Sequence, residues 1–271
     1  GSSDSFAGVD RSVYVSEVDS DTWKVVSSAT STNGKNKTLM TYLSRWREEV
    51  VSAIGDWTNP TELDELNLPD SNNGWKVKIS GDYAYIIRHS GSGDNFYVLD
   101  ISDPENVSIE GSTDLSDTLY DIAVSGDYAY VVSSSNSKEF MVVDISDPSD
   151  PNEVDSLNLS SNRNARGVYV VGSLAYVARD DGSNDELEII DISDPEDVSK
   201  VGGEDLNNDA NDVIVIGEYA YVATDGEELE IVDISNSSSP NSVDTRNFSG
   251  GSNGISITGE GNYVYVGRTD G

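Results

Sequence analysis

IIDISDPEDV (residues 189–198) sets two apolar residues, an aspartate, one more apolar residue and a Ser-Asp-Pro turn in a row. The chain repeats the pattern: VLDISDPENV starts at Val98, VVDISDPSDPNEV at Val142 and IVDISNSSSPNSV at Ile231. The aspartates fall at Asp100, Asp144, Asp191 and Asp233, spaced 44, 47 and 42. A second motif runs in step with the first: GDYAYII from Gly81, GDYAYVV from Gly126, GSLAYVA from Gly172, GEYAYVA from Gly217 and GNYVYVG from Gly261. Its closing tyrosines, Tyr85, Tyr130, Tyr176, Tyr221 and Tyr265, are spaced 45, 46, 45 and 44. Two motifs at a fixed period in the forties mark a repeat architecture.

Each period reads as four short strands. In residues 211–246, DVIVIG alternates and ends at a glycine turn, and YAYVAT follows as a second strand. Asp-Gly then favours a tight hairpin. LEIVDI places Leu229 and Ile231 on one face and Glu230 on the other. A Ser/Pro run breaks the strand and NSVDTRNF supplies the fourth. Four strands in about 45 residues is the pattern of a propeller blade. Proline ends the third strand because it has no N–H to extend a ladder. An apolar position beyond it, Leu63, Val107, Val154, Val198 or Val243, is expected to re-enter the core as the outer strand. The in-strand aspartate must be exposed or hydrogen-bonded. Recurring in every period, it is expected to accept bonds from turn backbone or hydroxyl groups.

LEIVDIS and GDYAYV together resemble the LVIVD repeats of bacterial and archaeal surface-associated proteins, over roughly residues 56–271. The resemblance implies an all-β fold, a β-propeller, and little about activity. Residues 55–271 are assigned to the propeller repeats. GDWTNPTEL (residues 55–63) aligns with LDISDPENV through Asp56, Pro60 and Leu63, so the repeats open on a back half and end on a front half. Two outcomes stay open. The segment after Asp56 could supply outer strands to the last blade and close a ring of five or six, or the chain is part of a larger propeller. DRSVYVSE near Tyr14 is a candidate degenerate front half.

Residues 1–54 differ. SVYVSEVDSDTWKVVSS reads as a hairpin turning at Asp19, Ser20 and Asp21. In TLMTYLSRWREEVVSAIG, the apolar residues Leu39, Leu43, Trp46, Val50 and Ile54 are spaced 4, 3, 4 and 4, which predicts an amphipathic helix capped by Thr38 and stopped by Gly55. The expected hairpin and helix pack on the propeller or are inserted in it.

Charge limits the partners. Asp and Glu total 50 against 16 Lys and Arg, a net of -34. Such a surface repels nucleic acid and anionic membranes, and salt screens its self-repulsion. No stretch approaches the roughly 18 apolar residues of a membrane span. There is no cysteine, hence no disulfide or thiolate metal site. His89 is the sole histidine, in the loop RHSGSGDN, and reads as a solvated loop residue. RDDGSNDE (residues 179–186) offers oxygen ligands of the kind Ca²⁺ takes, without EF-hand spacing, or is simply an acidic hairpin tip.

Propeller geometry says where a ligand would bind. Innermost strands begin at the axial mouth, and the residues there change from blade to blade: Trp75 and Lys76, Tyr120 and Asp121, Arg166, Asn211 and Asp212, Asn253. Polar and aromatic groups converging on one axis make a candidate binding surface. The expected function is a non-enzymatic, cell-surface or secreted propeller making protein or glycan contacts in a high-salt or cation-rich exterior. No catalytic constellation, and no cofactor other than possible Ca²⁺, is legible. One alternative is a carbohydrate-active lyase or hydrolase using mouth carboxylates such as Asp121 and Asp212. The other is a structural filament or surface-layer subunit.

Overall fold

The computed structural model describes residues 2–6, 9–19, 22–31, 36–44, 62–69, 74–89, 93–159, 163–180, 185–206, 208–248, 252–261 and 263–269. The chain divides into two compact units, Gly1–Glu62 and Leu63–Gly271.

The first unit is a four-stranded antiparallel meander of β1 (Ser2–Phe6), β2 (Val9–Asp19), β3 (Thr22–Ser31) and β4 (Asn36–Ser44). The expected hairpin is present, with Asp19 opposite Thr22. The expected helix is not, over residues 38–44. This stretch is β4, paired with β3 from Asn36 opposite Thr30 to Ser44 opposite Thr22. The physical reason is parity. Leu39 and Leu43 are four apart, which suits a helix turn and also one face of a strand. Thr38, Thr41 and Tyr42 then favour the strand. The rest of the expected helix lies outside the described residues.

The second unit is built of blades. The first comprises β5 (Gly74–Ser80), β6 (Tyr83–Arg88), β7 (Phe96–Asp100) and β8 (Ser108–Thr113). The second comprises β9 (Leu119–Ser125), β10 (Tyr128–Ser133), β11 (Phe140–Asp144) and β12 (Asn152–Leu157). The third comprises β13 (Ala165–Val171), β14 (Leu174–Arg179), β15 (Leu187–Asp191) and β16 (Ser199–Glu204). The fourth comprises β17 (Ala210–Ile216), β18 (Tyr219–Thr224), β19 (Leu229–Asp233) and β20 (Asn241–Arg246). β21 (Gly254–Glu260) and β22 (Tyr263–Arg268) form the front half of a fifth. Every sheet is an antiparallel meander, and β5, β9, β13, β17 and β21 are neighbours in that order. The fold is an all-β propeller. The expected back half at Asp56 and Pro60 lies outside the described residues.

The repeated residues act as the sequence implies. Gly81, Gly126, Gly172, Gly217 and Gly261 close the first hairpin of each blade at φ of 60 to 63°, where a side chain is strained. Asp100, Asp144, Asp191 and Asp233 each accept the backbone N–H of the serine two residues on, at 2.8 to 2.9 Å. This side-chain turn converts the third strand into the crossing loop. The charge of Asp100, Asp191 and Asp233 is stabilised first by the hydroxyl of that serine and then by its N–H, which together hold the carboxyls below the usual range.

Blades pack face to face. Tyr85, Ile87, Phe96 and Val98 of the first blade meet Leu119, Ile122, Val131 and Met141 of the second. Tyr130, Phe140 and Val142 then meet Val168, Val177 and Ile190 of the third. Each fully buried aliphatic side chain contributes about 1.5–3 kcal/mol. A hidden polar rule accompanies this packing. Asn95, Glu139, Glu186 and Glu228, each just before a third strand, accept the N–H of Leu115, Leu159, Leu206 and Phe248 at 2.7 to 3.0 Å. Each bond ties the blade to the linker leaving it.

One expectation is corrected. The five apolar positions beyond the proline are not equivalent. Val107 and Val198 directly precede β8 and β16, where Pro151 and Pro240 precede β12 and β20. Val154 and Val243 are instead skipped by the ladder at bulges in β12 and β20. Val198 is buried, but Val243 and Leu63 are exposed. Three extra residues in SDPSDPNEV, compared with SDPEDV, displace the valine along the outer strand. Residues 63–69 lie on the first blade, with Leu66 and Leu68 against Ala84, Tyr97 and Leu99. Asp64 accepts the Val107 N–H at 2.7 Å, just as Asp155 of the second blade accepts that of Val198 at 2.8 Å.

Candidate functional site: the axial mouth and cavity

The first strand of every blade carries a β-bulge at one position. The ladder pairs Gly74 with Arg88 and Lys76 with Ile87, skipping Trp75. It likewise skips Tyr120, Arg166, Asn211 and Ile255. A bulge leaves one residue unpaired and re-aims its side chain. Here consecutive residues point to the same neighbour. Trp75 donates its indole N–H to the Tyr120 carbonyl at 2.9 Å, and the Lys76 ammonium lies 3.8 Å from Asp121. Asn211 donates to the Gly254 carbonyl at 2.8 Å, and Asp212 accepts the Ile257 N–H at 2.9 Å.

The bulge residues form the rim. Arg166 donates to Asp180 at 2.8 Å and to Asn211 at 3.0 Å, and Asn211 donates to Asp225 at 2.7 Å. Asp180 also accepts two bonds from Asn164, so this carboxylate of the acidic hairpin is committed to the rim. Residues 181–184 of the hairpin lie outside the described residues. Asn253 stands apart from the cavity and accepts the Gly226 N–H at 3.2 Å.

Below the rim is a cavity of about 690 Å³ lined by the first strands and by β22, with Lys76, Lys78, Asp121, Tyr169, Asp212, Ser256, Thr258 and Tyr265 among its walls. Of the eight residues singled out by sequence, three enter it: Lys76, Asp121 and Asp212. Trp75, Tyr120, Arg166 and Asn211 frame it instead. Lys78 and Tyr169 were not foreseen, although period two along the strand carries the face of Lys76 on to Lys78. His89 was also missed. It is half-buried and stacks on Trp75 with ring centroids 4.4 Å apart, its edge meeting Tyr120 at 5.0 Å.

Each cavity aspartate is held by a backbone N–H of the next first strand. The Val168 N–H donates to Asp121 at 3.0 Å, and Asp212 accepts both the Val213 and Ile257 N–H groups at 2.9 Å. Gly167 is required beside them, because a Cβ there would lie 2.9 Å from the Asp212 Cα. Burial pushes the Asp121 carboxyl above its ordinary value, against the pull of Lys76 and the Val168 N–H. Burial pushes Asp212 up to about 6, with the charge of Asp121 adding to it. Chemically, the cavity offers two ammonium groups, four hydroxyls and two carboxyls, of which Asp212 is pushed up to about 6. Among the described residues no three His, Cys, Asp or Glu side chains form a metal-binding group, and no helix is long and apolar enough to cross a membrane.

Comparison with known proteins agrees with the fold. The chain is similar to the computationally designed Ika8 protein at 10% identity and a TM-score of 0.55, covering 95% of this chain and 68% of that one. It is similar to the computationally designed Ika4 protein at 11% identity and 0.51, covering 65% and 99%. It is similar to a catalytically inactive virginiamycin B lyase from Staphylococcus aureus, solved with quinupristin, at 9% identity and 0.55, covering 98% and 95%. At such identities the likeness is one of fold alone. No curated protein matches. The model of the LVIVD repeat matches residues 73–114, 119–158, 162–202 and 207–246, which are the four complete blades, and the chain therefore belongs to the LVIVD-repeat family.

Proposed function

We propose that this propeller is a non-enzymatic recognition module of a cell-surface or secreted protein, taking a protein or glycan partner at the axial mouth. One observation carries the reading. Both cavity aspartates are spent on backbone N–H groups of other blades, as parts of the scaffold, while the rim around them presents varied side chains. The net charge of -34 favours a saline or cation-rich exterior, where screening relieves self-repulsion. Arrays of glycans and extracellular proteins, probed with the wild type and with Tyr120→Ala plus Arg166→Ala, test the reading. A partner lost in a variant of unchanged melting temperature supports it. Equal binding by both forms counts against the mouth.

A second reading has its own observation. Asp212 titrates near 6 beside Asp121, which is how a general acid is poised. A carbohydrate-active enzyme would release product from a polysaccharide panel between about pH 5 and 7 and lose that activity on Asp212→Asn.

A further inference from the structure

We propose that the mouth and cavity form a subsite for an acidic sugar, with the free face of Trp75 under the pyranose ring and Lys76 and Lys78 on its carboxylate. This rests on the recognition reading above and names the class of partner.

The platform is built and open. The bulge directs Trp75 to the rim, and the Tyr120 carbonyl fixes its indole N–H. His89 backs one face of the ring, yet Trp75 remains 50% exposed. A fixed, half-exposed indole offers an apolar face to the C–H bonds of a sugar at little entropic cost. Lys76 is the next residue, and its ammonium faces the same neighbouring strand as the Trp75 indole, at Asp121 beside Tyr120.

The lysines supply the selectivity. Elsewhere in this unit Lys138 pairs with Glu153 at 2.8 Å, and Lys200 with Asp185 at 2.8 Å. Lys76 stands 3.8 Å from Asp121, beyond hydrogen-bonding distance, and Lys78 lies two residues further along the same wall. Ser256 and Thr258 add hydroxyls across the cavity. A ligand with one carboxylate and several hydroxyls matches this set. A neutral sugar would gain nothing from the ammonium groups, which among the described residues otherwise face only Asp121 and Asp212. The overall negative charge opposes any anion at long range. At molar salt the screening length shrinks to about 3 Å, so that repulsion fades while contact pairs persist.

The test is calorimetric titration of the full chain with uronate trisaccharides (galacturonate, mannuronate and guluronate) and their carboxyl-reduced neutral counterparts, at physiological and molar NaCl. Saturable uronate binding is expected, tighter in molar salt and at least about tenfold weaker for the neutral sugars. Trp75→Ala, and Lys76→Gln with Lys78→Gln, should each weaken it by at least about tenfold, while Trp75→Phe keeps it within about threefold. Thermal melts of each variant separate lost binding from lost fold. Equal affinity for neutral sugars, or no loss in the double lysine variant, overturns the acidic class and leaves glycan recognition standing. Binding of none of these sugars overturns the subsite. The recognition reading then stands or falls on the arrays and the Tyr120 and Arg166 variant.

Discussion

Asp191 and Asp212 come from neighbouring repeats and meet opposite fates. Asp191 ends a third strand at the surface, and the Ser193 hydroxyl, together with the Ser193 N–H, lowers its affinity for a proton. Asp212 follows a first-strand bulge into the axial cavity, and burial raises its affinity to a value near neutrality. Both accept backbone bonds, and Asp212, with the higher affinity for a proton, accepts two to the one of Asp191, so these bonds do not explain the difference. Solvent does. The outer turn keeps its charge in water, whereas the inner strand removes water and leaves the charge to two N–H groups, Lys76 and a neighbouring aspartate. An acidic protein thus holds two populations of carboxylate, one that solubilises and one that is costly to ionise.

Four substitutions sharpen this contrast, in falling order of effect. Arg179→Ala should destabilise by up to about 3–5 kcal/mol, because it leaves the buried Glu188 carboxylate with Lys200 alone and the Leu159 carbonyl without its donor. Arg179 donates to Glu188 at 2.7 Å, and both side chains are buried. Chemical denaturation measures the loss, and a loss below about 1 kcal/mol would mean that Lys200 alone answers the Glu188 charge. Glu230→Gln should do the reverse. Burial pushes Glu230 up to about 7, so the wild type loses stability as pH rises from the usual glutamate range to that value. The glutamine should gain about 2–3 kcal/mol relative to wild type above that pH and nothing in acid.

Asp212→Asn follows the same sign over a lower window. The wild type loses stability as pH rises from the usual aspartate range to about 6, and the amide removes that slope. The relative gain is about 1–2 kcal/mol, since the amide keeps one acceptor oxygen for two N–H donors. Melting curves at several pH values read it directly, and a pH-independent difference would break the contrast. Asp191→Ala should have the smallest effect and the opposite sign. Stability should fall slightly at neutral pH and match wild type once acid has protonated the aspartate of the latter.

The sequence carried the propeller because its signal is periodic. A tyrosine or aspartate recurring every forty-odd residues needs no propensity argument. It failed where only spacing was available. Leu39 and Leu43 satisfy helix and strand alike, and the choice of β4 rests on pairing with β3 that no local pattern reveals. The candidate site was half legible. Lys76, Asp121 and Asp212 were named from their place before the inner strands, but the bulge that divides rim from cavity leaves no mark on composition. His89 looked like a loop residue because its partners, Trp75 and Tyr120, are distant in sequence. Tyr265 shows the limit of motif equivalence. It occupies the place of Tyr130, which is 3% exposed under the next blade, yet is itself 54% exposed on a half-blade.

The bulge also bears on how such a protein can change. Trp75, Tyr120, Arg166, Asn211 and Ile255 share one backbone geometry and have little else in common. The ladder closes on either side of that residue whatever it is. A single codon per blade can therefore be rewritten at the cost of rim hydrogen bonds, while the apolar residues packed between neighbouring blades stay in place. Randomising those five codons would give a library of binding faces on one unchanged scaffold.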